Sequence, residues 1–270
     1  MARRVRQLSF VVALCGLALP LPLYAADGVL VVEQTTTGGA VRTSRVQIEP
    51  QRMRIEVADA GGMQVVIFDG AKQVLWVVDQ AKKSYMEMTK ADVDRMGGQM
   101  NSMMQAMQEQ LKNMPPAARA QMEAIMKGRG GAAMPGMPGA APQTEYRPTG
   151  AGTVGPWRCA GYDGFQGDQK TTEICTVEPA ALGFTSTDFA VSGQLAEFFR
   201  ALMPQNADQI FSIGTLETQG FSGVPVKRVS LTGPPSVTEV TEVTRQTFPD
   251  SLFVVPEGFT RQAMPMGLGR

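Results

Sequence analysis

Histidine is absent from the 270 residues of this chain. Its absence removes the commonest general base, the usual partner of a nucleophilic serine or cysteine, and a frequent zinc ligand. A glycine-rich stretch at residues 150–155 spells GxGxxG. It runs into Pro156 and Trp157 instead of opening a helix, so we interpret it as a loop and not as a nucleotide motif. The sequence therefore predicts a protein that is not an enzyme and holds no cofactor.

An excess of either charge is also missing, because 25 basic residues face 25 acidic ones. Without a basic surplus to attract a polyanion, nucleic acid is not an expected partner.

Long apolar runs are missing beyond the first residues of the chain. No later stretch approaches the roughly 20 apolar residues that a bilayer-spanning helix needs. We expect no transmembrane segment in the mature chain.

The first residues have the pattern of an export signal. Arg3, Arg4 and Arg6 precede an apolar run over residues 8–19, and the small-residue pattern that follows suits a cleavage site. The sequence predicts a signal peptide over residues 1–25 and a periplasmic mature protein. Removing that peptide takes away three arginines and no acid, so the mature chain carries three more acidic than basic residues.

Cysteine is scarce, with only three residues in the chain. Cys15 falls within the predicted signal peptide, and Leu14 before it does not suit a lipoprotein signal. Cys159 and Cys175 remain as an even pair in an exported chain, so a disulfide between them is the expected state. A thiolate metal site would need further ligands, which two sulfurs in a chain without histidine do not supply.

Strand patterns dominate the chain from residue 28 to residue 88, where turn residues separate about six apolar runs. Met53, Ile55 and Val57 alternate with charged residues, as in a strand with one buried and one wet face. Residues 74–78 are apolar on both faces, so the middle of the sheet should be covered on its inner side by helices.

A methionine-rich segment follows these strands. Thr89 and Asp92 form the pattern of a capping box, which predicts a helix from that point. Four methionines then recur at the spacing of one helical face: Met100, Met103, Met104 and Met107. A second helix is predicted over residues 117–127. The Gly, Ala, Pro and Met composition of residues 128–143 predicts a flexible linker.

Strands resume near Thr144 and continue towards the C-terminus, interrupted by a helix that Thr187 or Asp188 would cap. The predicted fold class is α+β, with a curved antiparallel sheet wrapped over helices. The predicted organisation is a signal peptide over residues 1–25, a single antiparallel-sheet domain over 26–262 with a helical insertion at 89–127 and a flexible linker at 128–143, and a loose tail over 263–270.

Short motifs resemble those of a known family: Trp157-Arg158-Cys159 with Tyr162, Glu173 with Cys175, Gly223-Val224-Pro225-Val226-Lys227, and the closing residues 253–259. With the signal peptide and six hairpin strands, they resemble an exported bacterial domain-of-unknown-function family with the half-barrel fold of the lipoprotein carriers LolA and LolB. The resemblance covers most of residues 28–259. It implies a concave apolar sheet face plugged by helices, which in characterised relatives holds lipid or lipoprotein acyl chains, and it implies no catalytic residues.

The methionines allow three interpretations. They can be core-facing residues of helices packed on a sheet, because methionine fills irregular gaps. They can form a flexible, polarizable surface for lipid tails or unfolded chains. Their thioethers can also bind Cu(I) or Ag(I), which soft sulfur ligands select.

The sequence leads to three functional hypotheses. The first is an exported, non-enzymatic protein that binds an apolar ligand, namely a lipid or acyl chain, or an envelope protein. Its predicted pocket has these lining residues: Trp76, Val78, Tyr85, Met100, Met103, Met104 and Met107. The second is a periplasmic Cu(I) or Ag(I) binder that uses Met100, Met103, Met104 and Met107. The third is a structural envelope interaction protein with a packed core.

Overall fold

Short turns join most strands of the protein to their neighbours. The computed structural model describes residues 27–59, 62–113, 115, 144–202 and 220–263. The strands and helices, in chain order, are β1 (Gly28–Thr37), β2 (Ala40–Ile48), β3 (Arg52–Asp59), β4 (Gly62–Asp69), β5 (Val74–Asp79), β6 (Ser84–Thr89), α1 (Lys90–Asn113), β7 (Glu145–Val154), β8 (Trp157–Gln166), β9 (Gln169–Val177), α2 (Ala190–Phe199), β10 (Val224–Ser230), β11 (Ser236–Gln246) and β12 (Thr260–Gln262). Short 3₁₀ helices lie at Pro179–Leu182, Ser186–Phe189 and Asp250–Phe253.

The twelve strands form one open, curved sheet in the order β12-β6-β5-β4-β3-β2-β1-β11-β10-β9-β8-β7. Every neighbouring pair is antiparallel except β12 and β6, which are parallel. The hairpin β1–β2 turns at Gly38 and Gly39, which both have positive φ, a conformation that glycine adopts without steric cost. The predicted curved antiparallel sheet and its first six hairpin strands are confirmed.

Both faces of the sheet formed by β1 to β6 carry buried apolar residues. Successive side chains of a strand point to opposite sides, and in β4 and β5 the side chains on both sides are apolar. We call inner the face that packs on α1 and α2, and outer the face that packs on residues 248–259. The buried inner-face residues are Val29, Val31, Ile48, Met53, Phe68 and Leu75, in one cluster with Val93 of α1 and Val191 and Phe198 of α2. The buried outer-face residues are Val65, Ile67 and Val78, in a second cluster with Phe248 and Phe253.

The segment at residues 248–259 covers the outer face and is attached by several kinds of contact. Phe253 is buried to 1% exposure. The guanidinium of Arg52 lies 4.5 Å above the Phe253 ring, and its Nη1 donates to Asp250 Oδ1 at 2.8 Å. Arg54 Nη1 donates to the backbone oxygen of Leu252, also at 2.8 Å. Sequence patterns did not predict this cover, because the segment lacks a long helical or strand period.

The predicted disulfide between Cys159 and Cys175 is confirmed and joins the neighbouring strands β8 and β9, with 5.4 Å between the Cα atoms. The separation of 16 residues corresponds to a stabilisation of about 3 kcal/mol in the chain-entropy account.

The sequence predicts a loop for the glycine-rich stretch at residues 150–155. Most of it instead lies in strand β7, which pairs with β8.

Helix α1 begins where the Thr89 pattern predicts. The predicted cap at Thr187 or Asp188 is wrong, because Thr185 caps the 3₁₀ helix at Ser186–Phe189 that leads into α2, with Asp188 as the second member of the capping box. The predicted signal peptide, the helix at 117–127, the linker at 128–143 and nearly all of the tail lie outside the described residues. No helix in the described part of the chain is long and apolar enough to cross a membrane.

We predict that Phe253→Ala destabilises the protein by about 3–5 kcal/mol, because it removes a fully buried ring from the outer-face cluster. The neighbouring Val254 is 44% exposed, so Val254→Ala should cost far less and serves as the control. Urea unfolding of both variants measures the difference. Equal midpoints for the two variants would mean that residues 248–259 do not hold the outer face.

Candidate binding surface

Helix α1 is fixed at its start by a reciprocal cap. The Thr89 backbone N–H and Oγ1 both donate to Asp92 Oδ2, at 3.1 and 2.7 Å, and the Asp92 backbone N–H donates to Thr89 Oγ1 at 3.3 Å. The hydrogen bonds from Thr89 hold the pKa of the Asp92 carboxyl below its usual range, with a further contribution from Arg95. The carboxylate therefore remains charged and stabilises the N-terminus of the helix, where the backbone N–H groups lack helical partners.

The first turns of α1 are docked on the protein interior. Val93 has no exposed surface, and Met96 packs against the inner-face cluster. Gly97 is buried, and a Cβ at this position would overlap the backbone carbonyl of Ala201, just after α2. The two backbones can come this close only because residue 97 has no side chain. Gly98, by contrast, faces open space.

Beyond this contact, the methionines of α1 become accessible. Met100 is half-buried, Met103 is 61% exposed and Met104 is 37% exposed. The side chain of Met107 lies outside the described residues. We call Met100, Met103 and Met104 the methionine face. Its exposure is unlike the ordinary core stripe of an amphipathic helix, whose apolar residues face a packed interior.

Helix α2 fills one end of the inner face. Val191 and Phe198 are completely buried, and the Phe198 ring meets the Phe68 ring edge-on at a centroid distance of 5.4 Å. A capping box between Thr185 and Asp188 leads into the helix. Asp188 is in turn ion-paired with Arg245 of β11. Packing and electrostatics together attach α2 to the sheet.

Burial on the inner face decreases along the strands. One row of cross-strand partners is fully buried: Val29, Ile48, Met53, Phe68 and Leu75. The next row on the same face consists of Val46, Ile55, Val66, Val77 and Met86, and each of these side chains is only half-buried. We call this second row the inner apolar strip. It is apolar surface that the described helices cover incompletely.

Polar groups begin in the row after the strip. Glu33 of β1 is the cross-strand partner of Ser44, whose Oγ donates to Glu33 Oε2 at 3.4 Å. Burial raises the pKa of the Glu33 carboxyl, and the charge of Arg228 and the hydrogen bond from Ser44 act against this rise. A half-buried carboxyl thus lies on the same face as Val29 and Val31, beside the inner apolar strip.

The structure does not bring the predicted pocket residues together. Trp76, Val78 and Tyr85 belong to the outer-face cluster, where residues 248–259 cover them. Trp76 Nε1 donates to Glu87 Oε2 at 2.9 Å, and Val78 is fully buried. Helix α1 packs on the opposite face, so the described methionines do not share a pocket with these three residues. The neighbouring apolar residues Leu75 and Val77 are the ones on the helical side.

A large cavity of about 1020 Å³, with several charged residues in its lining, lies at the strand ends near Asp27. Each of its three basic side chains is ion-paired. Arg52 pairs with Glu49 and Asp250, Lys72 with Asp69, and Arg245 with Asp188. Sequence reasoning missed this cavity because its lining comes from segments that are distant along the chain. These ion pairs neutralise the three basic groups of the cavity.

Within the described ranges, no group of three or more Asp, Glu, Cys or His residues is arranged to hold a metal ion. Met100, Met103 and Met104 lie on adjacent turns of α1, where residues three and four apart are neighbours. They are the residues that would bind a soft cation such as Cu(I).

Fold and surface together define an open, curved antiparallel sheet with helices on its inner face. No protein-family model matches the sequence, and no curated protein matches it either. Among solved structures, the chain is similar to an uncharacterized conserved protein from Thermus thermophilus, with 9% identity, a TM-score of 0.44, and coverage of 88% of this chain and 91% of that one.

Two structures of MucB are also similar to the chain. One is MucB in complex with MucA(peri), with 10% identity, a TM-score of 0.34, and coverage of 84% of this chain. The other is the MucA/MucB complex of Pseudomonas aeruginosa, with 11% identity, a TM-score of 0.35, and again coverage of 84%. The matches span just over half of each MucB chain, 55% and 56%. With similarities this low, the function proposed below rests on the chain's own residues.

The contact between α1 and Ala201 leads to a prediction about two adjacent glycines. Gly97→Ala should destabilise the protein by about 1–2 kcal/mol, because the new methyl group pushes α1 away from Ala201. Gly98→Ala is the matched control and should stabilise it by up to about 1 kcal/mol, since alanine favours the helix and meets no neighbour. Thermal unfolding measures both changes. A stabilising Gly97→Ala would contradict the close docking of α1.

The burial of Glu33 leads to a prediction about pH. The folded state binds the Glu33 proton more tightly than the unfolded chain, so this contribution to stability is fully present below the ordinary pKa of 4.5 and is lost as the pH rises through the raised value. Glu33→Gln has no such loss. The variant should therefore gain stability relative to wild type as the pH rises across that window, in denaturant titrations at a series of pH values. A difference that does not vary with pH would contradict the burial effect.

Proposed function

We propose that the chain is an exported, non-enzymatic binding protein of the periplasm that holds an apolar ligand, a lipid or acyl chain, on its inner face. The observation that carries this proposal is the inner apolar strip. Five apolar side chains on five neighbouring strands are left half-buried beside a fully buried row. Soluble proteins rarely leave a contiguous apolar surface uncovered unless something binds there.

The methionine face supports the same proposal. Met103 and Met104 are exposed on the helix whose first turns pack on the inner face. Methionine is unbranched and polarizable, so it adapts to chains of variable shape. Helix α1 would therefore act as a lid whose anchored part ends at Gly97 and whose accessible part contacts the ligand.

Helix α2 and the first turns of α1 would act as the plug of the half-barrel. They bury the inner-face row that contains Phe68 and Leu75, and they leave the row that contains Val66 and Val77 partly open. A ligand would lie along the second row, across the strands. An acyl chain needs only apolar contact there, because it has no hydrogen-bonding groups to satisfy.

A second candidate function is the binding of Cu(I) or Ag(I) by the methionine face. The accessibility of Met103 and Met104 favours it, since buried thioethers could not reach a metal from solution. Soft thioether ligands select these cations over harder ones. The two functions use different properties of the same residues, namely sulfur ligation in one and apolar volume in the other.

The test is a titration of delipidated mature protein, purified without detergent, with a fluorescent fatty acid. The double variant V46T/V66T keeps the shape of the strip but adds two hydroxyl groups, which lose hydrogen bonds to water when an acyl chain covers them. We expect its affinity to fall about tenfold. Val41→Thr, at an exposed position of the same strand β2, is the matched control and should bind as wild type does.

Replacing Met100, Met103 and Met104 with leucine separates the two candidates, because apolar volume survives while the thioethers are lost. Binding of the fatty acid should persist, and any Cu(I) binding should disappear. Native mass spectrometry of the purified protein reports either kind of adduct. If neither fatty acid nor Cu(I) binds to wild-type protein, both candidates fail, and the envelope interaction protein with a packed core becomes the better hypothesis.

A further inference from the structure

The inner face changes from apolar to charged within four residues along two adjacent strands. On β1, the residues of this face are Val31, then Glu33, then Thr35. On β2, the corresponding cross-strand partners are Val46, Ser44 and Arg42. The polar residues lie beyond the inner apolar strip, towards the turn at residues 38–39. The surface is thus amphipathic along the strand direction.

A row of four polar side chains crosses the sheet at this point. Thr35 pairs with Arg42 on one side and with Thr238 on the other, and Thr238 pairs with Arg228. The Oγ1 atoms of Thr35 and Thr238 are 2.9 Å apart and hydrogen-bonded, so these two side chains lie on the same face. The row therefore has an arginine at each end and two hydroxyl groups between them.

Among the described side chains of these two rows, the charge balance is positive, with Arg42 and Arg228 against Glu33. The charge of Arg228 acts on the Glu33 carboxyl, which also accepts from Ser44, so the one acid of this group already has partners. Arg42 and Arg228 are both exposed. The nearby Lys227 and Glu239 pair with each other at 2.8 Å and leave the balance unchanged.

From this arrangement we infer that the ligand of the inner apolar strip is an amphiphile with an anionic headgroup, held with its acyl chain on the strip and its headgroup among Arg42, Arg228 and the threonine hydroxyls. The inference rests on the proposed function and names the ligand class for the same site. A carboxylate and a phosphate share the chemistry that arginine recognises. Each group presents two negatively charged oxygens that accept a pair of N–H donors from one guanidinium.

The physical reason for the preference lies in the neighbouring rows. An acyl chain covering Val46 and Ile55 can extend its headgroup past Ser44 to the row of Arg42, Thr35, Thr238 and Arg228. There an anionic headgroup gains charge-assisted hydrogen bonds, a neutral sugar gains only ordinary ones, and a quaternary ammonium meets like charge. Headgroup charge should therefore change the affinity, although the chain contact stays the same.

The experiment compares amphiphiles with one dodecyl chain and different headgroups: dodecanoate, dodecyl phosphate, dodecyl maltoside and dodecyltrimethylammonium. Isothermal titration calorimetry on delipidated mature protein, at low salt and below micelle formation, gives each affinity. We expect the two anions to bind about tenfold more tightly than the maltoside, and the ammonium more weakly than the maltoside. Dodecanoate and dodecyl phosphate distinguish a fatty acid from a phosphate-headed lipid.

Arginine variants test the assignment. Arg42→Gln and Arg228→Gln should each reduce the ratio of dodecanoate affinity to maltoside affinity by about threefold or more. Arg45→Gln is the charge-matched control, because Arg45 lies on β2 but on the opposite face and is exposed. Its ratio should equal that of wild type. A loss in Arg45→Gln as large as in Arg42→Gln would overturn the inference, since only general charge would then matter.

The outcomes separate the inference from the function on which it rests. Equal affinities for all four headgroups overturn the anionic preference and leave acyl-chain binding on the strip intact. Tighter binding of the ammonium than of the anions also overturns it. If none of the four amphiphiles binds, the proposed function fails and the inference fails with it.

Discussion

The pairing of β1 with β11 is the constraint on which the rest of the structure depends. It joins strands about two hundred residues apart, and in doing so it unites the six N-terminal strands with β7 to β11 in one sheet. The Thr35 and Thr238 hydroxyls, separated by 203 residues, meet across this pair. Without it, Arg228 would not lie near Glu33, and the inner face would end at β1. Such long-range pairing costs loop-closure entropy, which the buried apolar surface must offset.

Strands β1 to β6 have buried side chains on both faces of this sheet. A strand such as β5 is apolar at every position from Val74 to Val78, and it needs cover on two sides. Helices α1 and α2 cover the inner side, and residues 248–259 cover the outer side. The outer cover is complete at Val78 and Phe253, whereas the inner cover leaves the strip partly open. The inner side is therefore covered incompletely by the part of the chain that the structure describes.

Burial and polarity of the inner-face side chains change step by step along the strands. Buried aliphatic residues are followed by half-buried ones, then by Glu33 and Ser44, then by arginine and threonine. This change from apolar to polar residues runs along the strands, whereas the inner apolar strip runs across them. Helix α1 adds an adaptable surface because its methionines become accessible just beyond Gly97, the point where its backbone contacts Ala201. Tight anchoring and accessible side chains occur on the same helix.

Local patterns in the sequence determined much of the fold. The alternation of Met53, Ile55 and Val57, the cap at Thr89 and Asp92, and the pairing of two cysteines each depend on a few neighbouring residues or on counting, and the structure contains the strand, the cap and the disulfide. The other face of that strand is not wet as expected, because Arg54 is buried and donates to the backbone of Leu252. The apolar run of β5 indicated that its surroundings are buried, but it could not say by what. For that reason the sequence places Trp76, Val78 and Tyr85 in one pocket with the methionines, although these three residues lie on the other face.

Only the tertiary structure decided which segments meet. Residues 248–259 reach the outer face, Arg228 reaches Glu33, and Met103 remains exposed because of strand order and helix placement. These depend on contacts between residues far apart in sequence. A period-two pattern specifies that a side chain points to one face or the other, but it carries no information about the partner that covers that face. The sequence by itself therefore determined the sheet, the cap and the disulfide, and the arrangement of the binding surface was decided by the long-range pairing of the strands.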